Sequence, residues 1–303
     1  MSYDTQSTHV VPSTAHEQPP DCSHEAPFEY EVAPLVALHC LSHTYPDGTA
    51  GVHDVSFAVH PDETVGLIGG NGAGKSTLME HLNGLLDLQE GTLRIDGTSI
   101  TEANIDVARR AVGFVFQDAD SQIVAPTVID DVMFGPLNYG ASPSEAKEQG
   151  IAALDRLDAS HLVDRVPHHL SGGEKRLVAI AGVLAMDPTT IVMDEPLAGL
   201  DPAREERVRE VIETLQEDHI GLVIATHDVD FAAEVSDRLV VMEDGNIVGS
   251  GPPQSVFYDD ELLTTANLRP PTAVRMARRL GVDTPHPVTE DELIDLLEQP
   301  PIV

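Results

Sequence analysis

Residues 69–77 read GGNGAGKST, set between the apolar run 64–68 and a helical pattern that starts near Lys75. This fits G-x-x-x-x-G-K-[ST] with a strand before it and a helix after it, the context that gives the motif its meaning. Glycines at 69, 70, 72 and 74 are expected to adopt positive φ and turn backbone N–H groups inward. With Asn71 and Ala73 they form a loop that, together with the helix N-terminus, cradles phosphate oxygens. Lys75 then reaches the β- and γ-phosphates of a nucleotide, the Ser76 hydroxyl binds Mg²⁺, and Thr77 contacts the α-phosphate.

Two further motifs restrict the fold. In TTIVMDEP (189–196) an apolar strand delivers two carboxylates at its C-terminal end, where parallel α/β sheets place their ligands. Asp194 is expected to hold Mg²⁺ through water, and Glu195 to polarise the attacking water. In LSGGE (170–174) Ser171 is placed to cap a helix over 172–186. Its hydroxyl, the Gly172 and Gly173 amides and the helix dipole present a second anion site. Two phosphate sites on one domain point to a nucleotide that is shared.

The rest of the chain reads as an α/β protein. Antiparallel strands LVALHCLSHTY and VSFAVH precede the phosphate loop, followed by GTLRIDG and VGFVFQ. A helical insertion over about 118–186 comes next. Within it Ser142, Pro143 and Glu145 make a capping box that opens a helix whose Ile151, Leu154 and Leu157 share a face. The core resumes as TTIVMDEP, GLVIATHD and RLVVMEDGNIVGSG, alternating with helical spans such as 204–217, as a parallel sheet covered on both sides requires. Beyond residue 251 a proline-punctuated segment carries helices near 272–280 and 290–298. Thr289 and Glu292 form another capping box there, and Leu293, Leu296 and Leu297 line one stripe.

These motifs, in this order, resemble the ATP-binding subunit of ABC transporters, and the resemblance covers residues 35–251. It implies a phosphate-loop (RecA-like) ATPase core of residues 34–251, with an antiparallel β subdomain, a helical subdomain and a small C-terminal helical extension, 252–303. It also implies ATP and Mg²⁺ as ligands and a head-to-tail dimer with two ATPs at the interface. Gln117 resembles the glutamine that senses Mg²⁺ and the membrane subunit, and His227 in VIATHD the histidine on the γ-phosphate. Tyr45 resembles the aromatic that stacks on adenine, and Asp201 in LAGLDP the aspartate that crosses the interface.

A narrower resemblance lies in VGFVFQDADSQIVAPTVIDDVMFGPLNYG (112–140), supported by IAGVLAMDP and TTANLRPP. It is similar to the ATPases of energy-coupling-factor (ECF) importers of vitamins and metal ions, especially the cobalt or nickel type. Gly70 stands where that family often has proline, and Glu174 where it often has glutamine. The partners implied are a second ATPase subunit, identical or related, a transmembrane coupling subunit received around residues 120–123, and a substrate-binding membrane subunit. The implied location is the cytoplasmic face of the cell membrane. The C-terminal stripe either packs on its own domain or helps two ATPases dimerise. Rival readings are the ATPase of another ABC importer, for biotin or another vitamin, and a soluble ABC protein acting on ribosomes or DNA. Against the last, the chain has one phosphate loop and no heptad array.

Composition limits the setting. The chain carries 51 acidic against 17 basic residues, a formal net charge of −34, which argues against nucleic acid as a partner. Lysine occurs only at 75, 147 and 175, while Asp and Glu spread along the whole length. A high-salt cytoplasm would select this pattern, since carboxylates hold water and cations where screening removes ordinary repulsion. No apolar run approaches the roughly 18 residues that span a bilayer. Cys22 and Cys40 form no CxxC pair, which offers no support for a disulfide framework and favours a reducing compartment. Residues 1–33 read as a disordered acidic tail. Its His9, His16, Cys22 and His24 match no coordination spacing, and neither do His39 with His43 or His168 with His169.

Overall fold

A computed structural model describes residues 32–282 and 284–298. The expected N-terminal tail, with His9, His16, Cys22 and His24, lies outside the described residues apart from its last two positions. The chain opens with strands β1 (Val36–Thr44), β2 (Ala50–Val59) and β3 (Thr64–Gly69), and helix α1 (Lys75–Leu82) follows the phosphate loop. Then come β4 (Glu90–Ile95), β5 (Thr98–Ile100), α2 (Ile105–Ala111) and β6 (Val112–Val115). The helical stretch holds α3 (Ala119–Gln122), α4 (Val128–Asn138), α5 (Pro143–Arg156) and α6 (Gly172–Leu184). The core returns with β7 (Thr190–Asp194), α7 (Pro202–Glu217), β8 (Gly221–Thr226), α8 (Val229–Val235), β9 (Arg238–Glu243) and β10 (Asn246–Gly251). Last are α9 (Pro253–Phe257), α10 (Asp260–Thr265), α11 (Thr272–Leu280) and α12 (Glu290–Glu298).

Among the described residues the strands form two sheets. One is antiparallel, in the order β2-β1-β4-β5, and the other runs β10-β9-β3-β8-β7-β6. In the second, β9, β3, β8, β7 and β6 are parallel and β10 alone is antiparallel. The central strands are apolar on both faces because both are covered: Val65, Leu67, Val192 and Val223 face the antiparallel sheet and α1, while Ile191, Met193, Leu222 and Ile224 face α6 and α7. Asp244 and Gly245, at φ 46° and 77°, close the β9-β10 hairpin, the positive-φ pair that a tight hairpin turn prefers.

Several expectations shift locally. The helix read as 172–186 ends at Leu184, where the chain turns through Asp187 at φ 55° into Pro188. The α5 capping box forms, with Ser142 N donating to Glu145 Oε2 at 2.8 Å, yet Ile151 is 41% exposed while Leu154 and Leu157 are buried. Ile151 lies just outside the buried face of its helix. The C-terminal segment is built onto the same core: Phe257, Leu263 and Val274 pack with Ile68, Leu239 and Val241. On α12 Leu293 is buried against Ala273 and Ala277, whereas Leu297 is 53% exposed, so the expected stripe is split. Cys40 is disulfide-bonded, contrary to the reading from spacing. Pairing depends on proximity in space, which CxxC spacing does not measure. The reducing compartment inferred from that spacing loses its support.

Candidate functional site

The parallel sheet gathers the motifs by strand order. β3, β8, β7 and β6 are neighbours, and their C-terminal ends lead into the phosphate loop, Thr226-His227, Asp194-Glu195 and Phe116-Gln117 respectively. Register aligns Ile68 with Thr226 and Asp194 with Ala225, so the three central ends stop at one level. Stretches far apart in sequence thus meet at one edge.

The loop itself depends on glycine at Gly74. Its φ is 99°, and a Cβ there would lie 2.4 Å from the Gly51 carbonyl oxygen. Gly72 has φ 81° and Gly69 φ 156°, whereas Gly70 keeps ordinary negative-φ or extended backbone, so the expected positive φ fails at that position alone. Asn71 and Gly72 are exposed at the loop tip, and Ala73 is buried beneath it with its carbonyl accepting from Gly245 N at 3.0 Å. Lys75 folds back over the loop, and its ammonium donates to the Gly69 and Gly70 carbonyls at 2.8 and 3.0 Å. Burial holds the Lys75 pKa below its ordinary value, against the opposing pull of Glu195 and Asp194.

Opposite the loop, Ser76 Oγ donates to Asp194 Oδ2 at 3.2 Å. Burial raises the Asp194 pKa, the Ser76 hydrogen bond opposes the shift, and the Glu195 charge adds to it. The exposed Ser76 hydroxyl and the Asp194 carboxylate, converging at the start of α1, are hard oxygen donors of the kind Mg²⁺ takes. A cation there would also relieve the electrostatic cost recorded in the Asp194 shift. The residues present therefore fit Mg²⁺.

Glu195 sits at φ 46°, a conformation rare for a residue with a side chain, pinned by Glu195 N donating to Ala225 O at 2.9 Å. Its Oε1 meets His227 Nδ1 at 2.8 Å, and its Oε2 accepts from Thr226 Oγ1 at 3.3 Å. The Glu195 side chain is 14% exposed and that of His227 71%, so the pair has a sheltered carboxylate and an outward-facing imidazole. Tyr45 is half-buried, edge-on to His43, with its hydroxyl 2.9 Å from Thr77 Oγ1, which ties the ring to α1.

The LSGGE segment begins α6. Ser171 N donates to Glu174 Oε2 at 2.7 Å and Glu174 N to Ser171 Oγ at 3.4 Å, a reciprocal cap. Gly173 has no room for a side chain: a Cβ would lie 2.9 Å from Arg204 Cγ and Cδ, whereas Gly172 has space. Arg204 pairs with Asp201 Oδ2 at 2.7 Å, and Asp201 Oδ1 accepts from Arg204 N to cap α7. Arg204 therefore lies between the Asp201 turn and Gly173. Gln117 is exposed just beyond β6.

Three contributors escape the motif reading. Thr226 supports Glu195. Gln122 Oε1 accepts from Phe116 N at 3.0 Å, and its Nε2 donates to Phe114 O at 3.2 Å. Arg176, only 3% exposed, donates to the Phe116 and Gln117 carbonyls at 2.5 and 2.6 Å. Burial lowers its pKa, with Asp118 and Asp194 pulling the other way. A basic residue on the buried face of α6, between Gly173 and Ile180, was the available signal for it.

The fold that carries these motifs is shared with known proteins. The family model described as ABC transporter matches residues 52–198. The energy-coupling factor transporter ATP-binding protein EcfA of Methanosphaera stadtmanae is 40% identical over 251 residues, covering 82% of this chain and 90% of that one. Among solved structures, cbiO1 of Clostridium perfringens, described as part of the ABC transporter complex cbiONQ, is 34% identical, with a TM-score of 0.69 over 82% of this chain and 99% of that one. The ATP-binding cassette MJ0796, described as a dimer in a post-hydrolysis state bound to ADP and Pi, is 27% identical with a TM-score of 0.64, covering 72% of this chain and 98% of that one. The chain belongs to the family of ABC transporter ATP-binding proteins, ATPases whose hydrolysis is coupled to transport.

Proposed function

We propose that the chain is the ATP-hydrolysing subunit of an ECF-type importer whose cargo is cobalt or nickel ion. The observation that carries the ECF reading is the likeness to EcfA and cbiO1 over most of this chain and of theirs. The metal-ion cargo is supported by the stretch 112–140, whose pattern resembles the cobalt or nickel branch.

In this reading ATP lies on the phosphate loop, with Lys75 on its β- and γ-phosphates, Thr77 at the α-phosphate and the adenine on Tyr45. Mg²⁺ would be held by Ser76, by Asp194 through water and by Gln117, and would neutralise developing phosphate charge. Glu195 orients a water for attack on the γ-phosphorus and takes its proton, while the bond to the bridging oxygen of ADP breaks. His227, hydrogen-bonded to Glu195, faces the γ-phosphate and fixes the carboxylate's orientation. Ser171, Gly172 and Gly173 of a second subunit close over the same γ-phosphate, and Asp201 crosses the interface. The γ-phosphate thus bridges both chains, and its release reopens the dimer. That displacement passes through the Gln117 region to a transmembrane partner at the cytoplasmic face of the membrane.

The test is to tag the Glu195→Gln variant in its host, extract membranes at high salt with ATP, and identify what copurifies. The proposal predicts two small integral membrane proteins and retained cobalt or nickel. Retention of a vitamin would replace the cargo, and ribosomal or DNA-associated proteins without membrane subunits would overturn the transport reading.

A further inference from the structure

We infer that Arg176 is the positioning residue for Gln117, fastening the backbone beneath that side chain to the helix that begins with Ser171 and Gly173. The inference rests on the proposed role of Gln117 in hydrolysis.

Arg176 is buried, and its guanidinium grips two consecutive carbonyls, Phe116 O at 2.5 Å through Nη1 and Gln117 O at 2.6 Å through Nη2. The planar fork of arginine suits such a two-point grip, which the point charge of lysine does not reproduce. Its buried Nε has no hydrogen-bond partner among the described residues, so the cation is held chiefly by backbone. An apolar side chain would fill the buried face of α6 without the desolvation cost, which argues that the cation is kept for what it holds.

The end of β6 that leads into Gln117 is also held from α3. Gln122 on α3 accepts from Phe116 N and donates to Phe114 O. Lys175, next to Arg176, pairs with Asp120 on α3. The backbone entering Gln117 is therefore clamped, by α6 at the Phe116 and Gln117 carbonyls and by α3 at Phe114 and Phe116. A shift of about 1 Å in a group that orients reactants costs as much as about 100-fold in rate, so losing the clamp should slow hydrolysis while leaving the phosphate loop intact.

A double-mutant cycle tests this with the full chain at high salt. Arg176→Gln, Gln117→Ala and the double variant are compared by kcat, KM for Mg-ATP and melting temperature. The inference predicts that Arg176→Gln lowers kcat by roughly 10- to 100-fold with KM little changed, and that it has no further effect once Gln117 is alanine. Multiplying effects in the double variant would overturn the inference while leaving Gln117 in place. Unchanged kcat in Arg176→Gln, with only the melting temperature lowered, would also overturn it. Unchanged turnover in Gln117→Ala would remove the underlying role of Gln117 and the inference with it. If Arg176→Gln does not fold, Arg176→Lys, which keeps the charge and loses the fork, enters the same cycle with the same expectations.

Discussion

Asp194 is a carboxylate whose ionised form costs the free protein stability. Burial raises its pKa, so its ionised form is disfavoured in the fold. A raised acid pKa gives relative stability at low pH that is lost as pH rises through the folded value. At neutral pH, without nucleotide or Mg²⁺, Asp194→Asn should therefore raise the melting temperature. The expected gain is on the order of 2 °C after allowing for solvent screening of a half-buried group. The same variant should lose nearly all Mg²⁺-dependent ATPase activity. Differential scanning fluorimetry and a phosphate-release assay read the two effects, and a lower melting temperature would contradict the account of the shift. The motif residues were legible because their chemistry is local: GGNGAGKST, LSGGE and DEP each carry loop geometry and reactive groups within a few positions. Arg176 and the φ of 46° at Glu195 were not, because what they do depends on carbonyls and strands distant in sequence.

At the scale of elements, alternation of apolar runs with helical spans was enough to foresee the parallel sheet, but not its strand order. Nothing in β6, β7 or β8 alone says that they lie side by side in the order β3-β8-β7-β6, and that order brings Gln117, Glu195 and His227 to one edge. Helix ends read well where a cap is encoded, as at Ser142 and Ser171, and poorly where an αL residue such as Asp187 stops the helix. The phosphate loop makes an element-level prediction. Gly74→Ala places a Cβ against the Gly51 carbonyl and forces a positive φ, so the turn that starts α1 should open. ATP affinity is expected to fall at least about 10-fold in isothermal titration, equal to about 1.4 kcal/mol. Gly72→Ala, at an exposed site with free space, should cost less.

For the whole molecule the governing quantity is a net charge of −34 on 303 residues. Ion pairs such as Arg156–Asp218 and Arg238–Glu63 engage only part of the acidic excess. Raising ionic strength from 0.1 M to 1 M shortens the screening length from about 10 Å to about 3 Å, which removes most repulsion between surface carboxylates. The melting temperature should accordingly climb with KCl over that range and beyond, and a flat or falling salt profile would contradict the high-salt reading. The proposed dimer belongs to this scale as well: Lys75, Asp194, Glu195 and His227 line one edge of the subunit, and in the proposal Ser171 and Gly173 act on a second subunit's nucleotide. Size-exclusion chromatography with light scattering of Glu195→Gln, at high salt with and without Mg-ATP, tests it most directly. The account predicts a monomer that becomes a stable dimer on adding ATP, and a variant that binds ATP yet remains monomeric would contradict it.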